Sequence, residues 1–220
     1  MKNNIFSIFI NLIFPPRCVL CGKIVSYGGQ ICDKCSTEAV KACTNKRIYI
    51  PKLGKIIVCY APFQYKNSIR KAIINFKFYG KKELVEFFAN IIAKQFLEIH
   101  SYNFDIITCV PLSKQRKKLR GYNQSELLAK AVSKRLNVPY KECLEKIKDN
   151  NEQHRLNEKD RQKNVKNVYI VKNKQNIYKK SILVIDDIVT TGATLGECAS
   201  VMLKNGAKQV TCAAIAQVVP

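Results

Sequence analysis

Apolar positions along this chain fall into blocks whose internal spacing alternates between strand-like and helix-like. KIIVCYAPF (55–63) is a β-branched run broken at Pro62 and predicts a strand. Residues 67–78 and 82–99 predict helices. In the second, Leu84, Phe87, Phe88, Ile91, Ile92 and Phe96 recur at helical spacing and form one broad apolar face. DIITCV (105–110) is a continuous apolar strand stopped by Pro111, and SELLAKAVSKRL (125–136) is an amphipathic helix. Strands follow near 143–147, at KNVYIV (166–171) and at SILVID (181–186). ATLGECASVMLKNG (193–206) predicts a helix closed by Gly206, and AKQVTCAAIAQVV (207–219) supplies the last strand. Uninterrupted apolar strands alternating with helices predict an α/β fold, a doubly wound and mainly parallel sheet covered on both faces.

Three stretches stand outside this alternation. Residues 18–43 are rich in cysteine and turn formers, which predicts a small N-terminal module over 1–45 and a larger domain over 55–220. Residues 148–164 are polar without apolar periodicity, the pattern of a functional lid or of a plain surface loop. The apolar run Ile5–Phe14 follows a lysine, as in a secretory signal, but ends in Pro15-Pro16 with no small-residue cleavage site. It is too short to span a bilayer. It predicts a short helix packed on the body of the protein, with weak membrane association as the second reading; no other segment approaches a transmembrane length.

With 47% hydrophobic residues the chain can bury a core, and its net charge of +22 implies anionic partners. Polyphosphates, nucleic acid and an acidic membrane surface all satisfy that charge. Of ten cysteines, Cys43, Cys59, Cys109, Cys143, Cys198 and Cys212 are scattered singly, several inside apolar runs where a thiol serves as a small hydrophobe. This is a pattern for a reducing compartment, the cytoplasm. The other four form Cys18-x₂-Cys21-x₁₀-Cys32-x₂-Cys35, two chelating pairs on a short ribbon. Tetrahedral structural Zn²⁺ satisfies this set, and the metal would supply stability that so short a segment lacks. Disulfides and an iron–sulfur cluster are the alternatives.

The stretch SILVIDDIVTTGATLGECAS carries the chemistry. Asp186 and Asp187 sit at the carboxyl end of a predicted strand, where ligands bind in open α/β sheets. Thr190, Thr191, Gly192, Ala193 and Thr194 then lead into a helix, so backbone N–H groups, hydroxyls and the positive helix end can cradle a phosphate. Gly192 permits close approach or positive φ. The two carboxylates can accept from sugar hydroxyls beside that phosphate and reach Mg²⁺ directly or through water. No Walker loop is present. An ordinary capped strand-to-helix turn is the bland alternative, and it leaves the paired acids and the length of the small-residue run unexplained.

ILVIDDIVTTGATL resembles the phosphoribosyl pyrophosphate signature of type I phosphoribosyltransferases. From FPPRCVLCG through APFQYKNSIRKAIINFKF, VPLSKQRKKLRGYNQSELLAKAV and QHRLNEKDRQKNV, nearly the whole chain is similar to the ComF family (ComFC- or GntX-like), associated with competence and use of external DNA. The resemblance implies a 5-phosphate on Thr190 to Thr194 and ribose hydroxyls on Asp186 and Asp187. It implies pyrophosphate on the Pro111–Arg120 loop, with five basic residues among the seven from Lys114 to Arg120, where a solvated basic face opening a helix is the alternative. There Arg120 offers a planar fork of donors, and Pro111, Lys117 and Gly121 belong to the same loop. Asn123 or Ser125 would cap the next helix, while Asn123 and Gln124 are equally placed to touch ligand. Gln153, Arg161 and Asn164 match the family within the lid-like segment, and Lys77 stands where the family also carries a lysine. Neither His100 nor His154 has metal-ligand spacing.

Two functions of different classes fit. One is a phosphoribosyltransferase using phosphoribosyl pyrophosphate and Mg²⁺ with a nitrogen acceptor. The other is a non-catalytic nucleotide sensor or competence factor that binds single-stranded DNA or a competence-machinery protein on the same fold.

Overall fold

The computed structural model describes residues 14–39, 41, 45–79, 82–98, 102–148 and 168–219. The predicted N-terminal helix up to Ile13, the lid-like stretch from Asp149 with Gln153, His154, Arg161 and Asn164, and Cys43 and His100 lie outside the described residues. Helix α1 (Asp33–Glu38) belongs to the cysteine module. The remaining order is β1 (Lys46–Ile50), β2 (Lys55–Tyr60), β3 (Phe63–Gln64), α2 (Asn67–Tyr79), α3 (Lys82–Glu98) and β4 (Ile106–Cys109). There follow α4 (Lys114–Arg120), α5 (Gln124–Leu136), β5 (Leu144–Lys146), β6 (Tyr169–Val171), β7 (Ser181–Val189), α6 (Ala193–Lys204) and β8 (Gln209–Gln217).

The main sheet runs β1-β2-β8-β7-β4, with β3 also pairing β8. All of its pairings are parallel except β1 with β2. Strand alternation divides the core between the two faces. Leu183 and Ile185 of β7 and Ala213 and Ile215 of β8 join Ile73, Phe76, Leu84, Phe88, Leu128 and Val132, so α2, α3 and α5 cover one face. Ile182, Val184, Cys212 and Ala214 turn the other way onto Leu195, Cys198, Ala199 and Met202 of α6. The β5–β6 pair packs on this second face as well, through Leu144 and Tyr169.

Three differences from the sequence expectation have physical reasons. The sheet starts at Lys46, ahead of the Lys55 at which the pattern places the larger domain, because Ile48 and Ile50 alternate into the core of the second face. Residues 114–120, expected as loop, are helical: Ser113 caps the turn by accepting from Arg116 N (3.3 Å), and Gly121 closes it at φ 75°. The cysteine module is not separate from the larger core, since Cys18, Leu20 and Cys35 are buried among Tyr60, Phe63 and Ile69. No helix of the described residues is long and apolar enough to cross a membrane.

Candidate active site and metal centre

Asp187 has the strand parity of Leu183 and Ile185, so its side chain turns toward the face covered by α2 and α5. It is 6% exposed. Its Oδ2 accepts from Gln124 Nε2 at 2.9 Å and pairs with Lys77 Nζ at 3.1 Å. Asp186, half-buried, directs Oδ1 to Ser125 Oγ and to the Asp187 amide, both at 2.9 Å. Burial, and after it the charge of Asp187, pushes the Asp186 carboxyl above the usual carboxylate range. Among the described residues the other oxygen of each acid, Asp186 Oδ2 and Asp187 Oδ1, takes no hydrogen bond. Among the described residues each carboxylate is thus held by one oxygen alone.

The strand continues past the acids to Val189, still paired with Gln217 of β8. Thr190 is exposed, and Thr191 Oγ1 accepts from Ala193 N at 3.3 Å, capping the turn. Gly192 stands at the N-cap of α6 with φ 86° and is buried against β1. A Cβ there would lie 2.7 Å from Ile48 Cγ1, and one on Gly196 would lie 3.2 Å from Ile48 Cγ2. Both the positive φ and the packing require glycine at 192. Ile48 therefore forms the back wall of the bend. Thr190 and Thr194 make no hydrogen bond with their hydroxyls among the described residues.

Among the described residues the basic segment is linked to the acids by Gln124. Arg120 Nη1 donates to Gln124 Oε1 at 3.4 Å, and Gln124 in turn donates to Asp187. Lys117 bonds Glu126 at 3.2 Å, and Gly121 is the left-handed end of α4. Pro111, Lys114 and Lys117 border a cavity of about 150 Å³ with Tyr140, Glu142 and Glu145, a space outboard of β4 that does not include the acids. Asn123 is structural: its Oδ1 caps α5 by accepting from Ser125 N at 3.0 Å, and its Nδ2 donates to Val110 O at 3.1 Å. Ser125, weighed as a cap from sequence, instead grips Asp186, and Lys77 acquires a defined contact with Asp187. The signal that could have located these contacts is strand parity, which turns Asp187 toward α2 and α5. The alternation in RIYI could likewise have located β1 and Ile48.

The cysteine module brings all four Sγ atoms within 4.8 Å of one another. Cys21 Sγ and Cys32 Sγ are 3.7 Å apart, against about 3.8 Å for the edge of a tetrahedron with Zn–S near 2.3 Å. The backbone builds the first half as a tight turn, with Cys18 N donating to Lys23 O and Gly22 N to Cys18 O, each at 2.7 Å. The second half is the start of α1, where Cys32 is the N-cap and Cys35 lies one turn on. Cys18 and Cys35 are buried while Cys21 faces solvent, a closed four-thiolate set with no position for substrate.

A phosphoribosyl transferase domain matches residues 122–218, and a double zinc ribbon domain matches residues 9–47. The chain is similar to competence protein ComFC of Bacillus subtilis (strain 168), 26% identical over 195 residues, which cover 86% of this chain and 78% of that protein. It is similar to the DNA utilization protein YhgH of Escherichia coli (strain K12), 25% identical over 205 residues, 88% of this chain and 86% of that protein. Among solved structures, adenine phosphoribosyltransferase from Thermoanaerobacter pseudethanolicus overlaps 84% of this chain and 98% of its own, at 11% identity and a TM-score of 0.41.

Proposed function

Because the chain is a homologue of the ComF-type competence and DNA-utilization proteins, with a phosphoribosyltransferase domain and an N-terminal four-cysteine zinc ribbon, we propose that it binds phosphoribosyl pyrophosphate with Mg²⁺ and transfers the ribosyl phosphate to a nitrogen acceptor. The observation that carries this reading is the pair of acids toward the end of β7, each with one oxygen anchored and, among the described residues, no hydrogen bond on the other, ahead of a glycine-tight bend at the start of α6. That arrangement presents acceptors for adjacent sugar hydroxyls next to N–H donors for a phosphate.

In the reaction, the bond from ribose C1 to the pyrophosphate oxygen breaks and a bond from C1 to the acceptor nitrogen forms. The pyrophosphate leaves with the bonding electron pair, and the acceptor gives up a proton. The centre at C1 is cationic in passing, so no covalent nucleophile from the protein is needed. The chain's own work is to fix the ribose on Asp186 and Asp187, seat the 5-phosphate on residues 190–194 and meet the departing charge with Arg120. Mg²⁺, when bound, would neutralise pyrophosphate, and the carboxylates of Asp186 and Asp187 suit it as ligands or through water. The biological role would be in competence and DNA utilization, the words in the relatives' names, with DNA or a protein of that machinery as partner.

Pyrophosphate release tests this. The protein with phosphoribosyl pyrophosphate, Mg²⁺ and a panel of bases and amines is expected to release pyrophosphate only with its acceptor. Specific binding without release for any acceptor would support the sensor, and no binding at all would end the reading.

A further inference from the structure

We propose that Gln124 is a positioning residue that links the pyrophosphate half of the site to the ribosyl half, so that filling one strengthens binding at the other. The inference rests on the phosphoribosyl reading above and deepens it. Gln124 is 4% exposed, the first residue of α5, and its amide spans one group on the helix that follows β4 and one on the neighbouring parallel strand β7. On one side Arg120, the last residue of α4, donates to Oε1 at 3.4 Å. On the other, Nε2 donates to Asp187 Oδ2 at 2.9 Å.

The chemistry allows one orientation. A guanidinium only donates and an ionised carboxylate only accepts, so the amide oxygen must face Arg120 and the nitrogen must face Asp187. Of the two amide side chains only glutamine has that reach, since asparagine is one methylene shorter. Glutamate would set a second negative charge against Asp187, and leucine would leave both neighbours without this partner. Gln124 is moreover held from below: α5 is capped by Asn123, whose amide is anchored on Val110 at the end of β4.

The two bonds differ in strength. The Asp187 contact is short and charge-assisted, and it is backed by Lys77 Nζ on the same oxygen at 3.1 Å. The Tyr122 hydroxyl donates to the Phe76 carbonyl, tying α2 beside Lys77 to the α4–α5 junction. The Arg120 contact, at 3.4 Å, is long and easily improved. An anion that holds the Arg120 guanidinium in place would firm up its bond to the amide oxygen. It would thereby hold Nε2 on Oδ2 and fix Asp187 Oδ1 toward the sugar. The coupling is reciprocal, because each ligand favours the same arrangement of the amide.

Calorimetry on the full zinc-loaded chain reads this directly, as the affinity for ribose 5-phosphate in Mg²⁺ with and without saturating inorganic pyrophosphate. In the wild type, pyrophosphate should tighten ribose 5-phosphate by at least about fivefold. In Gln124→Leu the ratio should fall close to one, whatever happens to the separate affinities, since a merely structural loss lowers both without changing their ratio. Arg120→Lys, altered at a partly exposed position, should lose the same ratio from the other end and serves if Gln124→Leu does not fold. A wild-type ratio retained in folded Gln124→Leu, or in Arg120→Lys, overturns the proposal. A wild type that binds both ligands with a ratio of one overturns it alone, whereas a wild type that binds neither removes the phosphoribosyl reading with it.

Discussion

The zinc module and the acid site are built in opposite ways. All four thiols come from residues 18–35, and two local turns bring them together. The acid site draws Lys77 from α2, Arg120 from α4, Gln124 and Ser125 from α5, Asp186 and Asp187 from β7 and Ile48 from β1. A local cluster is encoded by spacing and needs a metal to be stable. A dispersed one is encoded by the fold and needs every element that contributes a side chain. The two meet, because Cys35 O accepts from Ser68 Oγ at 3.5 Å at the start of the helix that carries Lys77.

The strongest way to break the comparison is at the metal. If the ribbon were a mere appendage, losing its zinc would leave the larger domain untouched. With Cys18, Leu20 and Cys35 in the main core, Cys35→Ser should instead cost about 3 kcal/mol or more, roughly 6–12 °C for a chain of this size. Metal analysis should find zinc in the wild type and none in the variant, and calorimetric melting checks the rest.

Gly192→Ala probes the dispersed site from behind. Positive φ and the clash with Ile48 together should destabilise by about 2–3 kcal/mol. In an Ile48→Ala background the added cost should shrink to about 1 kcal/mol, since only the backbone strain remains. Additive costs in the double-mutant cycle would mean that the wall and the bend are independent.

Lys77→Met comes next. It leaves a nearly buried carboxylate with Gln124 as its remaining side-chain partner among the described residues and should cost about 1–2 kcal/mol at neutral pH, discounted because Lys77 is partly exposed. Chemical denaturation measures it.

The smallest effect is a pH slope. The folded Asp186 carboxyl is raised, so the native chain holds that proton more tightly than the unfolded one. The stability it contributes is present at low pH and is lost as pH rises from the ordinary carboxylate range through the raised folded value. Asp186→Asn removes that loss while keeping an acceptor for Ser125. The variant's gain in melting temperature over the wild type should therefore be larger at pH 8 than at pH 5.

Sequence reading reached these regions unequally, for the same physical reason. Cys18 to Cys35 and the strand–acid–bend order of β7 into α6 are local, and the chain displays them in spacing and composition. The helices α2, α3, α5 and α6 and the parallel sheet follow from apolar periodicity. Strand β1 escaped because five residues with two buried isoleucines are weak evidence beside a longer run such as KIIVCY. The helix at 114–120 escaped because its cap, Ser113, and its terminator, Gly121, bracket a stretch with no buried residue. Gln124 bridging Arg120 to Asp187 is a tertiary fact, visible only once β4 and β7 lie side by side.

The central claim is that Asp186 and Asp187 hold a phosphorylated ribose, and its most direct test is calorimetry of phosphoribosyl pyrophosphate with Mg²⁺ on wild type and on Asp186→Asn/Asp187→Asn. The account predicts saturable binding by the wild type and its loss in a double variant that still melts cooperatively and still carries zinc. Equal binding by both proteins, or none by the wild type, would contradict it.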